Sequence, residues 1–576
     1  MPPGADAPAS PWSDVERIAV GRSAGGDIVV IGLDHGSEVA RRPLTAAEFP
    51  AWVAQREHEA GPRGVRWVWP STAAWYPRLL DAGVRVTKAH DLRLCHAILR
   101  DAVPAATALV AATAWDAPDA EEGSSPGALF DLDPGPAAHR DDLDGVLAEI
   151  ARQDDAAARA VDPARMRLLL AAESAGSLVA AEMRAAGVPW SAERHARILE
   201  ETLGRRRGDG TPERMAELAA EVRVRLGDPS LAIDSPARLL AALRRAGIRV
   251  TSTSRWELRD VDHPAIAPLL AYKKLARLLT ANGWAWLDEW VHDGRFRPLY
   301  LPGGVVTGRW ATSGGGALQL PRRLREALRA DDGWRIVSAD VAQLEPRVLA
   351  AMARDTRMAD AARGRDLYEG IVATGAVAHR SEAKVAMLGA MYGATTGDAG
   401  RLVPRLRRAF PAAMAAVDGA AATGEAGGVV STWLGRTSPG VDPGWAAAAR
   451  SAGASAEAER RVRAARRDRG RFTRNFIVQG TAAEWALAWL ADLRLRLAAL
   501  PPTEGPAAAA SGPAFARRAH IAYFLHDEVI VHAPADRADE AAQAIRDASA
   551  SAGRLLFGSF PLDFRLDLAI RDDAAK

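Results

Sequence analysis

Apolar positions along the chain follow two different rhythms, and the change from one to the other divides it. Residues 18–33 (IAVGRSAGGDIVVIGL) and 65–69 (VRWVW) are β-branched or aromatic runs broken by Gly, a pattern that predicts short strands. The stretches 73–81 and 92–99 read as helices beside them, so the opening part is expected to be a small α/β unit. Between Asp116 and Asp155 the sequence turns acidic and rich in Pro, Gly and Ser, which predicts a surface loop and linker with a boundary near residue 160. From Met166 to about Ala281, apolar residues recur every three or four positions, as in SLVAAEMRAAGV and SPARLLAALRRAGI. That spacing predicts helices that bury one face. Ser235 before Pro236 is a helix start, a capping hydroxyl followed by a ring that fits the first helical position. Strand patterns return at 296–306, at 334–339 and as two apolar runs around residue 527, with helical segments between. PPTEGPAAAASGP, at 501–513, reads as a loop.

Composition narrows the partners. The 576 residues suggest about four modules at roughly 150 residues each. Lys and Arg number 74 against 72 for Asp and Glu, a net charge of +2, so a nucleic acid would have to be held by local patches. The single cysteine, Cys95, excludes an internal disulfide framework and a multi-thiolate zinc site and fits a reducing cytoplasm. No uncharged apolar run approaches the ~18 residues of a membrane span, and the start, MPPGADAPASPWSDVER, has neither the basic nor the apolar segment of an export signal.

Three constellations carry candidate chemistry. In WRIVSADVAQLEPRVLAAMA a strand gives way to a helix after Gln343, and Asp340 stands at the junction, where it can face a cleft or simply cap the helix. In RAHIAYFLHDEVIVHAP, apolar runs flank His526, Asp527 and Glu528, the layout of a hairpin with charges at its turn. Adjacent carboxylates repel unless a cation lies beside them, although taken alone the three residues read more readily as a solvated turn. Should Asp340 and Asp527 meet in space, they offer hard oxygen ligands suited to Mg²⁺ and substrate phosphates, and two such ions can clamp a phosphoryl transfer. Between these segments, Arg380, Lys384, Leu388 and Tyr392 recur every fourth residue, one stripe on a helix. Two cations, then an apolar and an aromatic side chain, match a nucleoside triphosphate from phosphates to base; a surface helix with solvated cations fits the same spacing.

Together the three segments resemble motifs A, B and C of the family A DNA polymerases, whose patterns are D-Y-S-Q-I-E-L-R, R-x-x-x-K-x-x-x-[FY]-G-x-x-Y-G and H-D-E. This chain has DVAQLEPR from Asp340 to Arg347, RSEAKVAMLGAMYG from Arg380 to Gly393, and HDE from His526 to Glu528, in the same order. Further matches are TGR at Thr307–Arg309, LQLP at Leu318–Pro321, LGR at Leu434–Arg436 and RFTRNFIVQGTAAE at Arg471–Glu484. The likeness runs over about 165–576.

The resemblance implies a DNA-directed DNA polymerase that adds deoxynucleoside triphosphates to a primer 3′ end, in gap filling or repair. Asp340 and Asp527 would hold two Mg²⁺ ions, with the Val341 carbonyl as a further ligand and Glu528 in support. Arg380 and Lys384 would neutralise the triphosphate, and Lys384 would protonate the departing pyrophosphate. Leu388, Tyr392, Tyr368 and Glu345 would complete the nucleotide site, Glu345 occupying the space of a ribose 2′-hydroxyl. Arg309, Gln319, Arg471, Asn475, Gln479 and His526 would touch primer-template DNA, where minor-groove contacts sense pairing shape without reading sequence. The basic run RRVRAARRDRGR from Arg460 to Arg471 either adds phosphate contacts or is a solvated helix face. A monomer in the cytoplasm, associated with the nucleoid and not with a membrane, is expected.

Some positions depart from the family pattern. Leu388 stands where an aromatic ring is usual and Tyr368 where His is usual, while Val341, Ala342 and Pro346 replace Tyr, Ser and Leu. Residues 1–160 more faintly resemble the family's 3′-5′ exonuclease domain. Asp91 lies near its central acid, but no D-x-E appears around Asp27 and Asp34, and LAAESAGSLV puts Leu170 and Ser174 where Tyr and Asp are required. A degenerate domain without proofreading is therefore expected, and the family's 5′ nuclease domain is expected to be absent. The implied fold class is α/β and α+β: an N-terminal degenerate ribonuclease H-like exonuclease domain (1–160), then a right-hand polymerase (161–576). Its parts would be a helical thumb (about 165–300), an antiparallel palm sheet (about 300–350 and 480–576) and helical fingers (about 351–480). The rival readings are a primer-template binding protein with impaired catalysis and a single-subunit RNA polymerase.

Overall fold

A computed structural model describes residues 12, 15–102, 107–116, 140–208, 210–394, 397–450 and 455–575. The chain forms two compact units. The first comprises Met1–Gly187, Leu299–Gly314 and Asp331–Arg571; the second comprises Val188–Pro298, Gly315–Ala330 and Asp572–Lys576.

The first unit opens with a five-stranded sheet: β1 (Arg17–Arg22), β2 (Ile28–Asp34), β3 (Ser37–Leu44), β4 (Arg66–Trp69) and β5 (Lys88–Asp91), in the order β3-β2-β1-β4-β5. β1 to β3 form an antiparallel meander, whereas β4 and β5 run parallel to β1. The chain reaches β4 through the helix Glu48–Ala60, which was not expected from the sequence, and passes from β4 to β5 through the predicted helix, Thr72–Asp81. Trp67, Trp75 and Tyr76 fill the core on one face. The expected linker is corrected in part. Residues 117–139 lie outside the described ones, but Leu143–Ala158 is a helix capped by Asp142, which accepts from the Gly145 amide. It buries Leu143, Val146 and Ile150 against the other face of the sheet, so a three- and four-residue apolar spacing was present among the acidic residues.

The helix Pro163–Ala186 follows, started by Asp162 and proline. Its buried Glu182 accepts hydrogen bonds from Tyr76 Oη at 2.6 Å, Arg85 Nη2 at 2.8 Å and Arg494 Nε at 2.9 Å. Burial alone would raise the Glu182 carboxyl, but the two guanidiniums outweigh it and bring it down to about 2. Through Arg494 this cluster ties the opening sheet to the longest helix, Ala456–Ala499. Residues 476–490 of that helix are apolar almost all round and, apart from Gln479, are buried, as a helix crossing a core must be.

The second unit is mostly helical, with a small sheet in the order β6 (Val188–Pro189), β8 (Arg295–Phe296), β7 (Val291–His292). Its core gathers Leu199, Leu243, Leu258 and Leu269. Ser235 caps Pro236–Arg245 as expected, accepting from the Arg238 amide.

Back in the first unit, β9 (Leu299–Leu301) pairs with β10 (Ala311–Gly314). A four-stranded antiparallel sheet then forms from β11 (Trp334–Val341), β12 (His520–Leu525), β13 (Glu528–Pro534) and β14 (Leu566–Arg571), in the order β12-β13-β11-β14. The helix Ala538–Phe557 and the buried stretch of the long helix belong to the same unit. Among the described residues no helix is long and apolar enough to cross a membrane.

Candidate active site

Two main-chain features bring Asp340 and Asp527 together. β12 and β13 join through a tight turn at His526 and Asp527, where His526 takes φ of 54°, the left-handed backbone that such hairpin turns require. The Val341 amide, at the end of β11, donates to the Asp527 carbonyl at 2.8 Å. The register sets Asp340 directly opposite Glu528 on β13 and Asp567 on β14, and cross-strand partners share a face. Burial first, and then the neighbouring Asp340 carboxylate, push the Asp527 carboxyl up to about 6 against the opposing pull of Arg309. A buried hard-oxygen acid raised by a neighbouring carboxylate is a donor that a divalent cation relieves.

Past β11, Gln343 adopts φ of 52° and turns the chain into the helix Leu344–Met352, which carries Glu345. Arg347 has no exposed surface. Its guanidinium donates to the carbonyls of Ala342, Ala362, Arg365 and Asp563, so this motif residue pins loops and is not directed at a substrate. Glu345 is held from two sides: Tyr392 Oη donates to it at 2.9 Å, and Arg309 forms an ion pair with its other oxygen. Burial and Glu345 raise the Tyr392 phenol to about 12, which keeps it a donor.

The helix Arg380–Tyr392 ends at Gly393, with φ of 73°. A Cβ there would stand 2.8 Å from Arg471 Cγ, so both the left-handed cap and the close approach favour glycine. On this helix Lys384 is exposed. Arg380 Nη2 donates to Asp366 at 2.7 Å, and its guanidinium lies 5.5 Å from the Tyr368 ring centre. The reading from sequence did not find Asp366. Its signal was the Asp-x-x-Glu start of the helix Leu367–Ala373, where Asp366 accepts from the Glu369 amide; the same carboxylate also accepts from Gln343 at 3.0 Å.

A cleft of about 260 Å³ is lined by Arg309, Glu345, Tyr368, Leu388, His526 and Asp527. On the long helix, Arg471, Asn475 and Gln479 follow at four-residue spacing along one stripe. Arg471 pairs with Asp468, and Gln479 accepts from Thr307 Oγ1 at 2.9 Å. Gln319 is exposed in a short 3₁₀ turn, Ala317–Gln319, of the second unit. Among the described residues no three His, Cys, Asp or Glu side chains cluster closely enough to cage a metal by themselves.

Comparison with known proteins places this arrangement. The chain is 27% identical over 413 residues to DNA polymerase I of Chloroflexus aurantiacus, covering 64% of this chain and 40% of that protein. It is 25% identical over 357 residues to the thermostable DNA polymerase I of Thermus filiformis, covering 57% and 38%. The chain thus matches about two-fifths of the length of these curated relatives. The POL domain of Pol1 from M. smegmatis, solved in complex with DNA primer-template and dNTP, superposes with a TM-score of 0.65 at 17% identity, over 98% of this chain and 97% of that one, a likeness of fold. A family model described as DNA polymerase family A matches residues 205–570, which include the two aspartates, the cationic helix and the Arg309–Glu345–Tyr392 link, and the chain belongs to that family.

Proposed function

We propose that the chain is a DNA-directed DNA polymerase that extends a primer 3′ end with deoxynucleoside triphosphates. The observation that carries this reading is the convergence of Asp340 and Asp527 beside a cleft lined by Arg309, Glu345, Tyr368 and Leu388. The donor set fits Mg²⁺: two hard carboxylates, of which Asp527 is raised by burial and by Asp340, with Val341 and Glu528 next to them in sequence. Two such ions, when bound, would stabilise charge on the attacking and leaving oxygens of the transfer. The protein's own groups position the rest. Arg380 and Lys384 neutralise the triphosphate, and Lys384 supplies a proton to the departing pyrophosphate. Glu345, fixed by Arg309 and Tyr392, fills the space of a 2′-hydroxyl and so selects deoxynucleotides. Arg309, Gln319, Arg471, Asn475, Gln479 and His526 contact the primer-template.

In the same reading, the four-stranded sheet is the palm and residues about 351–480 are the fingers. Of the thumb expected at about 165–300, the helical second unit covers 188–298. Residues 1–160 are a nuclease-like domain without proofreading. Its Asp91 carboxylate accepts from the amides of Thr72 at 2.7 Å and Leu94 at 3.0 Å, while Ser174 Oγ accepts from the Asp91 amide and donates to the Leu170 carbonyl. These atoms serve the backbone. The test is extension of a labelled primer-template in Mg²⁺ with deoxy- or ribonucleotides, for the natural protein and Asp527→Ala. Deoxynucleotide addition that is lost in the variant supports the reading. DNA binding without addition in both would replace it with a binding protein, and preferred ribonucleotide addition with an RNA polymerase.

A further inference from the structure

The loop 302–310, which carries Arg309, packs against a buried ion pair between Glu173 and Arg436. On the helix Pro163–Ala186, Glu173 is 1% exposed and its Oε2 accepts from Arg436 Nη2 at 2.5 Å. Two further polar atoms of the pair, Glu173 Oε1 and Arg436 Nε, are buried without a hydrogen-bond partner. Each packs against a glycine of the loop. A Cβ on Gly303 would stand 2.7 Å from Glu173 Oε1, and one on Gly308 would stand 2.6 Å from Arg436 Nε. Both glycines have positive φ, 63° and 83°, so the loop lays its bare backbone over the ion pair. A buried pair with incomplete hydrogen bonding is a poor source of stability, which directs attention to what it holds.

Arg436 is itself fixed from the long helix. Its amide donates to Thr432 Oγ1 at 2.9 Å, and Thr432 in turn donates to the buried Glu484. The Leu434 amide donates to the other Glu484 oxygen at 2.9 Å. The far side of the loop meets the same helix, where Thr307 Oγ1 donates to Gln479 and a Cβ on Gly480 would stand 3.2 Å from the Thr307 carbonyl. Within the loop, the Gly308 amide donates to the Val305 carbonyl at 2.7 Å and the Val305 amide to the Arg309 carbonyl at 3.1 Å. These contacts hold the loop from both sides, and in this position Arg309 reaches Glu345.

We propose that Glu173 and Arg436 are positioning residues for Arg309: their buried ion pair seats the 303–309 loop and thereby aims the Arg309 guanidinium at Glu345 and the primer end. The primer part of this inference rests on the polymerase reading; the seating of the loop does not. Glu173→Gln removes the charge that holds the guanidinium, and Arg436→Lys keeps the charge but loses the planar group under Gly308. Should one variant fail to fold, the other carries the test.

The experiment is a double-mutant cycle with Arg309→Ala on the full chain, read by primer extension and by amide hydrogen exchange over 303–310. In the Arg309-containing protein, each variant is expected to raise the KM for primer-template about tenfold, with little change in the KM for nucleotide. In the Arg309→Ala background that increase disappears. Exchange over 303–310 quickens at least tenfold in either variant, while the opening sheet stays protected. Additive effects in the cycle, or unchanged exchange over the loop, would overturn the proposal. If the natural protein extends no primer, the polymerase reading falls, and hydrogen exchange still decides whether the pair seats the loop.

Discussion

Asp91 and Asp527 lie at the edges of two different sheets in the same unit, and their surroundings are opposite. Asp91 closes β5 and is 2% exposed, with both carboxylate oxygens taken by backbone amides at the start of neighbouring helices. That is how a buried charge is made tolerable. Asp527 sits in a turn whose geometry aims it at Asp340, and burial together with that neighbour drives its carboxyl up to about 6. One acid is settled by the fold; the other is left in a state that a cation would improve. Both are aspartates at or next to the end of a strand in sequence, so residue type does not separate the two surroundings. The difference lies in whether the protein has already answered the charge.

The contrast is broken most severely at the four-stranded sheet. Asp340→Asn or Asp527→Asn is expected to lower the primer-extension rate by at least ~10³-fold, since transition-state charge stabilisation through metal ligands amounts to several kcal/mol. Asp91→Asn leaves the rate within about twofold, and a labelled 3′ end stays intact in both. Single-turnover extension with circular dichroism as the folding control measures this. Loss of extension in the Asp91 variant at full folding would collapse the distinction.

Stability should invert the ranking. Asp91→Ala strips two charge-assisted caps and is expected to cost about 2–4 kcal/mol, seen as a lowered denaturant midpoint. Asp527→Asn should do the reverse when metal is chelated. Its carboxyl ionises near 6 in the folded chain against an ordinary 3.8, so ionisation opposes folding. The penalty is full above pH 6, shrinks as pH falls from 6 towards 3.8 and is absent below. The variant is therefore expected to be more stable at pH 8 by about 1–2 kcal/mol, allowing for partial solvent screening, with the gain gone at pH 4. Denaturant melts in EDTA at the two pH values check this. Added Mg²⁺ should raise the midpoint of the natural protein and leave the variant unmoved.

The sequence made the second carboxylate site far easier to find than the first. Uninterrupted apolar runs on both sides of residues 526–528 specify a hairpin, and β11 with the helix Arg380–Tyr392 is equally plain in its periodicity. What escaped were pairings across distance. β3 is exposed along most of its length and forms an edge, so no alternation of apolar and polar residues marks it. β14 lies far down the chain from β11, yet places Asp567 opposite Asp340. Glu173 and Arg436 are 263 positions apart, and nothing local marks either as a partner. Asp366 carried a visible cap signature, but its ion pair with Arg380 depends on how two helices lie together.

The smallest expected effect is at the Glu345 link. Tyr392→Phe removes one hydrogen bond from a half-exposed phenol, about 0.5–1.5 kcal/mol. Discrimination between deoxy- and ribonucleotides should fall by about twofold to tenfold with the extension rate nearly kept, as competition assays on one template would show. An unchanged ratio would mean that Arg309 alone holds Glu345.

The claim on which the rest depends is that Asp340 and Asp527 share divalent ions when primer-template and nucleotide are bound. Crystals of that complex grown with Mn²⁺ in place of Mg²⁺ would show it by anomalous scattering. Manganese peaks are expected between these two carboxylates in the natural protein, weakened or lost in Asp527→Asn. Peaks bound elsewhere, with neither aspartate in contact, would contradict it.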